Sequence, residues 1–477
     1  MSQSILALKK NYQQIERTCV IRDIVGHRWP SLKQHNPLIS RVPEFVKNEV
    51  DAFLKCGVFA FGFIRLYCRD CHHSQLLAFS CKTRGFCPSC SARRMSESAI
   101  KLTEELLPEV PIRQWVLSFP FFIRYLMAYD PKVVTAVLSI HTRTISSWYK
   151  SKHKRKYEKK SLHAGSVTAI QRFGGALNIN PHFHSLFLDG VYRETESKDP
   201  QFLKSALLFD SEKEKILKKI VQRVTRWLSK NGYIEEDSKE PAALSALYAA
   251  SVEYRIAVGP RRGEKIQLFG TDSGVSRNES GGLGYRGFNL HAGVKIKAQD
   301  REKLATLCRY ILRGPLARER VNQIGGGKVS VRFKRPWSSG ATHVVYTEEE
   351  FIEKLVALVP PRRANLVRYH GVFAPNARLR ERIKLKEKSK DEKVKRVSQI
   401  PWAELLKRTF GIDPERCKRC GGKLRPIAVI MRFELIDQIL ESLKIKSQRK
   451  YCGSVQDPRG PPREWLSEDY DQLPTDW

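Results

Sequence analysis

Pro181-His182-Phe183-His184-Ser185-Leu186-Phe187-Leu188-Asp189-Gly190-Val191-Tyr192 is the stretch whose reading decides the fold. It has the pattern of a β-strand that is apolar on both faces, with side chains alternating between them. His182, His184, Leu186 and Leu188 share one face, and Phe183, Ser185, Phe187 and Asp189 share the other. Two imidazoles two residues apart on a strand can reach one small cation, and imidazole suits zinc, manganese and related divalent metals. His-apolar-His alone is a weak signal, because chance and structural histidines explain most such triplets. Its weight comes from its company: a zinc-type cysteine cluster upstream, a helix carrying a tyrosine downstream, and a very basic chain.

Working outward, GSVTAIQRFG precedes the histidine stretch and GALNIN joins the two. So short a Gly/Asn connection predicts antiparallel neighbours. Gln171 shares a face with Val167 and Ala169, and in a hairpin it can stand opposite the histidine pair as a third, neutral oxygen ligand. Asn178 and Asn180 compete for that role, although Asn in a loop is more often a turn former. Downstream, KAQDREKLATLCRYILRGPLARERV predicts a helix that starts near Gln299 or Asp300 and breaks at Gly314-Pro315. Leu304, Leu307, Cys308 and Ile311 form one apolar stripe. Tyr310 falls about 60° from Leu307 by the helical period, half-buried with its hydroxyl at a rim. Arg309, Arg313, Arg318 and Arg320 crowd the same segment. By itself such a tyrosine is an amphipathic residue at a core boundary.

The composition narrows the partners. The 477 residues hold 85 basic against 50 acidic side chains, a formal net charge of +35, with 41% hydrophobic and 10% aromatic residues. The chain can therefore build a core, its length predicts two to four domains, and its charge excess points to an anionic polymer, most often nucleic acid. No apolar run is long enough for a membrane span, and MSQSILALKK lacks the apolar core of a signal peptide, so a cytoplasmic location and no membrane partner are expected. No G-x-x-x-x-G-K-[ST] phosphate loop occurs.

The 11 cysteines are odd in number and clustered, which favours metal ligands in a reducing compartment over disulfides. In CRDCHHSQLLAFSCKTRGFCPSCSARRM, Cys68 and Cys71 form one C-x-x-C, and Cys87 and Cys90 form a second. Two such knuckles supply four sulfurs for one tetrahedral Zn²⁺, as in a zinc ribbon. Cys81 lies between them and either replaces a ligand or packs nearby. Lys82, Arg84, Arg93 and Arg94 surround the knuckles, as phosphate contacts would. Cys417 and Cys420, followed by Gly-Gly, make a further knuckle without a clear partner and are read as half of a second zinc site.

The remaining pattern predicts an α+β protein, an antiparallel sheet with flanking helices, plus an N-terminal zinc ribbon and a helical insertion. Residues 1–108 form the N-terminal helical and zinc-ribbon region; 109–359 form the central domain, with the insertion at 193–250; 360–451 form a basic linker and the small C-x-x-C module; and 452–477 form a disordered tail. Strands are expected within 112–120, 166–192 and 252–298, including SVEYRIAV, KIQLFG and GFNLHAGVKIKA. In the insertion, Ile216, Ile220, Val224 and Trp227 mark a helical core stripe. His291 points with Asn289 away from the Phe288-Leu290-Ala292 face and is read as structural or solvent-facing. GKVSVRFKRPWSSGATHVVYT predicts a hairpin with a turn at Ser-Ser-Gly, its Arg332, Lys334 and Arg335 outward; Thr347 and Glu350 open the next helix as a capping box.

Six segments in order, FSCKTRGFCPSCSARRM, QRFGGALNINPHFHSLFLDGVY, CRYILRGPLARERV, KRPWSSGATHVVY, VRYHGVFAPNARLR and WAELLKRTFGIDPERCKRCGG, resemble the rolling-circle (HUH) transposases of the insertion-sequence-91 type. The resemblance implies an HUH endonuclease-like fold, with His182 and His184 as the pair that holds Mg²⁺ or Mn²⁺, Gln171 matching a position that could complete the metal site, and Tyr310 as the nucleophile. It implies cleavage and rejoining of single-stranded DNA, at element ends and target, through a 5′-phosphotyrosine. Some relatives carry two tyrosines a helical turn apart, but here Gly314 stands a turn after Tyr310, so a single-tyrosine member is expected. A plasmid replication initiator or relaxase would share the histidines and tyrosine, whereas a non-catalytic zinc DNA-binding protein would leave them idle. Tyr254, Tyr285 and Tyr346 are the fallback nucleophiles.

Overall fold

The computed structural model describes residues 12–15, 19–195, 199–205, 207–233, 243–269, 283–337, 340–383, 401–443 and 445. The expected tail at 452–477 and the Ser338-Ser339 part of the hairpin turn lie outside the described residues. The chain divides into two compact units: 98–315 with 330–393, and 1–97 with 316–329 and 394–477.

The first unit is built on an antiparallel sheet whose strands run Leu283–Tyr285, Phe288–His291, Ile112–Ser118, Ile179–Leu188, Gly165–Phe173 and Val367–Gly371 in spatial order, with Lys295–Ile296 also paired to Ile112–Ser118. The histidine strand lies at its centre. The two faces separate as the alternation requires. Phe183 and Phe187 join Trp115 and Leu117 under the helices Pro131–Ser151 and Asp210–Lys230, which bury Val133, Val137 and Ile145 and Ile216, Ile220 and Val224. Leu186 and Leu188 join Val167 and Ala169 under the helix Arg301–Leu312, which buries Leu304, Cys308 and Ile311. The tyrosine helix thus packs on the histidine face. Val367–Gly371 pairs with Gly165–Phe173, so this sheet extends beyond residue 359.

One strand expectation is corrected. SVEYRIAV makes no strand: Ala243–Val252 is helical, Tyr254 is left-handed at φ +60°, and only an isolated bridge joins Arg255 to Lys265. The preceding AALSALYAA, rich in helix formers, carries its helix into the segment and overrides the alternation. KIQLFG does contain a strand, Gln267–Phe269, paired with His343–Thr347. Thr347 and Glu350 form the expected capping box: the threonine hydroxyl accepts from the Glu350 amide at 3.2 Å, and the Thr347 amide donates to the Glu350 carboxylate at 3.0 Å.

The second unit carries a sheet in the order Tyr12–Ile15, Ser74–Ala78, Phe63–Cys68 and Leu424–Ile430. The last strand arrives from the far end of the sequence and pairs antiparallel, with Leu424 opposite Cys68. The helix Phe433–Ser442 completes it, burying Ile436 and Leu440 against Phe59, Phe63 and Leu76. The knuckle module of the C-terminus therefore belongs to the same unit as the N-terminal cysteines. Among the described residues no helix is long and apolar enough to cross a membrane.

Candidate active site and metal centres

The strand register sets the site. Gln171 lies directly across from His182, and Ala169 across from His184. Directly opposed side chains on one face stand about 5 Å apart at Cβ, so the glutamine and the histidines converge. Immediately beyond Gln171 the pairing slips, Phe173 resuming opposite Ile179. A bulge at that position re-aims side chains at the end of a strand. The rings of His182 and His184 lie 4.9 Å apart at 67°.

Each imidazole has its Nδ1 occupied. That of His182 faces the Asn180 carbonyl at 2.6 Å, and that of His184 faces the Gln114 side-chain amide at 2.9 Å. A carbonyl accepts, so His182 carries its proton on Nδ1 and keeps an Nε2 lone pair. For His184 the same tautomer goes with the Gln114 amide turned so that its oxygen accepts from Nδ1. Such partners fix the ring of a metal-binding histidine. Burial, seconded by His182 and Arg313 for His184, keeps both rings neutral: His182 is pushed down to about 4 and His184 well below its ordinary value. Neutral imidazole is the ligating form.

Gln171 does two things at once. Its Nε2 donates to the carbonyls of Ile311 at 2.8 Å and Tyr310 at 3.2 Å, tying down the end of the tyrosine helix. Its Oε1 is buried and has no partner. A buried unpaired oxygen costs about 1–3 kcal/mol, and a cation beside it would remove that cost. The set of two neutral imidazoles and one amide oxygen fits a divalent ion. The Asn178 and Asn180 side-chain oxygens are also buried without partners.

Tyr310 is 44% exposed, at the edge of the stripe as the helical period requires. Its ring meets that of His184 edge-on at 5.8 Å. The Arg313 guanidinium lies 4.9 Å and the Lys334 ammonium 5.6 Å from its ring centre. Arg313 is part-buried, with its Nε unpartnered, and burial lowers its pKa. The structure therefore brings Gln171, His182, His184 and Tyr310 to one place. Gln114 was not singled out from sequence; its signal is a polar residue at an inward position of the strand Ile112–Ser118. His291 lies in the same row two strands from His184, through Val116.

The cysteines group differently from the expected ribbon. Cys68, Cys71, Cys87 and Cys90 do not form one set. Cys68 and Cys71 meet Cys417 and Cys420, while Cys87 and Cys90 meet Cys56 and Cys81, and within each set all four sulfurs lie within 4.8 Å of one another. Sulfur pairs stand at 3.5 Å (Cys68–Cys420), 3.6 Å (Cys71–Cys417), 3.4 Å (Cys81–Cys90) and 3.7 Å (Cys56–Cys87). A tetrahedron of Zn–S bonds of about 2.3 Å has edges of about 3.8 Å. Cys68 and Cys71 flank the hairpin joining Phe63–Cys68 to Ser74–Ala78, whose first strand pairs with Leu424–Ile430, so the C-terminal knuckle is delivered beside them. Four neighbouring thiols cannot all ionise without a cation: hydrogen bonds from Cys56, Cys81 and Cys87 push Cys90 down, while the bond with Cys56 pushes Cys81 up.

Residues 165–381 match a family model described as "Putative transposase", and residues 24–119 match one described as "Transposase zinc-binding domain". The first span contains Gln171, His182, His184 and Tyr310; the second contains Cys56, Cys68, Cys71, Cys81, Cys87 and Cys90. The transposase for insertion sequence element IS801 of Pseudomonas savastanoi pv. phaseolicola is 21% identical over 388 residues, covering 80% of this chain and 83% of that protein. No solved structure matches the chain.

Proposed function

Because the chain belongs to the insertion-sequence-91 family of transposases, and so acts on DNA, we propose that it cuts and rejoins single strands through Tyr310, for rolling-circle transposition. The observation that carries this reading is the Tyr310 ring standing 5.8 Å from that of His184, on a helix end held by Gln171. His182, His184 and the Gln171 oxygen would hold Mg²⁺ or Mn²⁺. Bound there, such an ion polarises a scissile phosphate and offsets its growing charge.

The chain's own groups supply the rest. The Tyr310 oxygen attacks phosphorus in line, its proton passing to solvent, and the 3′ oxygen leaves with its electron pair and is protonated. The phosphate stays on Tyr310 as a 5′-phosphotyrosine, and a 3′ hydroxyl later reverses the exchange. One phosphodiester is exchanged for another, so no nucleotide hydrolysis is needed. Arg313 and Lys334 beside the ring favour the phosphate's negative charge. The test is incubation with a single-stranded oligonucleotide carrying the element end, read on a denaturing gel. Wild type should yield a protein–DNA adduct, and Tyr310→Phe should yield none while binding the strand as before. Cutting by Tyr310→Phe at the wild-type rate would overturn the reading.

A further inference from the structure

A row of aromatic side chains runs beside this site, in the same unit, and the proposed chemistry makes no use of it. Phe121 opens the helix Phe121–Tyr129 and is 52% exposed, as is Phe122. The Phe121 ring meets Tyr254 at 6.4 Å, Tyr254 meets Trp337 at 5.7 Å, and Trp337 stacks on Phe333 at 4.9 Å and 8°. Phe333 is buried, whereas Tyr254 and Trp337 remain partly exposed. Tyr254 holds φ +60°, a left-handed conformation that is costly for an aromatic residue and that clusters at functional sites. Three separate stretches of chain thus assemble one surface.

Both ends of the row border the catalytic residues. Phe121 follows Ser118 by three residues, and Ser118 is the strand partner of His182. Arg124 lies 5.0 Å over the Phe121 ring. At the other end, Lys334 follows Phe333 and lies over the Tyr310 ring. Phe333 and Trp337 also pack on the turn before the histidine strand: a Cβ on Gly175 would stand 3.5 Å from the indole nitrogen and 3.7 Å from Phe333.

We propose that Phe121, Tyr254 and Trp337 are a stacking platform for the unpaired bases of the strand that Tyr310 cuts; the assignment rests on the Tyr310 reading. Unpaired bases offer their faces to aromatic rings, whereas bases inside a duplex are already stacked. Arg124, Lys334 and the exposed Arg335 supply the cations that the phosphates beside those bases require. An apolar protein partner would have no use for that charge. The platform therefore selects single strands at the site itself, before any chemistry.

The test uses the full chain and a thymine-rich single strand in which 5-iodouracil replaces thymine at each position near the cut in turn. Irradiation should crosslink the strand to Trp337, Tyr254 or Phe121. Leucine at each of these positions should weaken binding of the same strand about tenfold or more, leave binding of the matching duplex unchanged, and leave the salt dependence unchanged, because no phosphate contact is lost. Phe121→Leu, at an exposed position, guards against a folding defect at the other two. Crosslinks confined to other residues, undiminished single-strand binding by all three variants, or an equal loss for duplex would overturn the platform. A Tyr310 adduct without crosslinks on the row would sink the platform alone, whereas crosslinks on the row without a Tyr310 adduct would sink the nucleophile and leave the platform standing.

Discussion

At the end of the histidine strand away from His182 and His184, Asp189 is 1% exposed and accepts from Arg113 at 2.9 Å and from Lys295 at 2.8 Å. Burial alone would raise its pKa, but the two cations outweigh burial and hold it below the ordinary carboxylate value. A carboxylate depressed in the folded state contributes stability that is fully present above its unfolded value and is lost as pH falls through the folded one. Asp189→Ala should cost about 3–5 kcal/mol, because it strands the Arg113 guanidinium inside the protein. Urea unfolding at neutral pH measures this, and a loss under about 1 kcal/mol would mean that solvent reaches the arginine. Sequence put Asp189 on the correct face but could not name its partner, which lies 76 residues away. The histidines and Tyr310 were legible because strand and helix periods place them without long-range information. Gln114 was not, since its role depends on which strand lies beside the histidines.

The element that carries Tyr310 is the helix Arg301–Leu312, and its C-terminal carbonyls reach the sheet through Gln171. Gln171→Leu should remove both hydrogen bonds, costing about 1–3 kcal/mol and freeing the last helical turn. Hydrogen exchange at residues 308–312 should quicken, and cleavage should fall; unchanged protection would show that packing of Cys308 and Ile311 alone holds the helix. The cysteine knuckles are elements of another kind. Two sets of four predict two zinc ions per purified chain by elemental analysis, falling to one in Cys417→Ser and to one in Cys81→Ser. One ion in wild type would contradict this. Spacing alone suggested one ribbon from Cys68, Cys71, Cys87 and Cys90, because local pattern reveals knuckles but not which knuckles meet. Counting would have helped: Cys56 and Cys81 complete one set, and Cys417 and Cys420 the other.

Over the whole molecule, the zinc-bearing unit draws on both ends of the sequence, closed by a strand pairing between Cys68 and Leu424. Boundaries read from composition follow the chain and cannot reveal such a return, whereas the sheet of the other unit was legible because its central hairpin is local. The charge of +35 belongs to this scale too. Affinity for single strands should fall steeply with salt, each neutralised phosphate adding about −0.7 to the log–log slope, and a flat dependence would mean that the basic residues are only solvated surface. The proposed chemistry comes down to one event, the transfer of a DNA 5′ phosphate to a tyrosine. The most direct test is to digest the covalent protein–DNA adduct and locate the modified peptide by mass spectrometry. Phosphate-linked DNA is expected on Tyr310; an adduct on Tyr254, Tyr285 or Tyr346 instead would refute Tyr310 as the attacking residue.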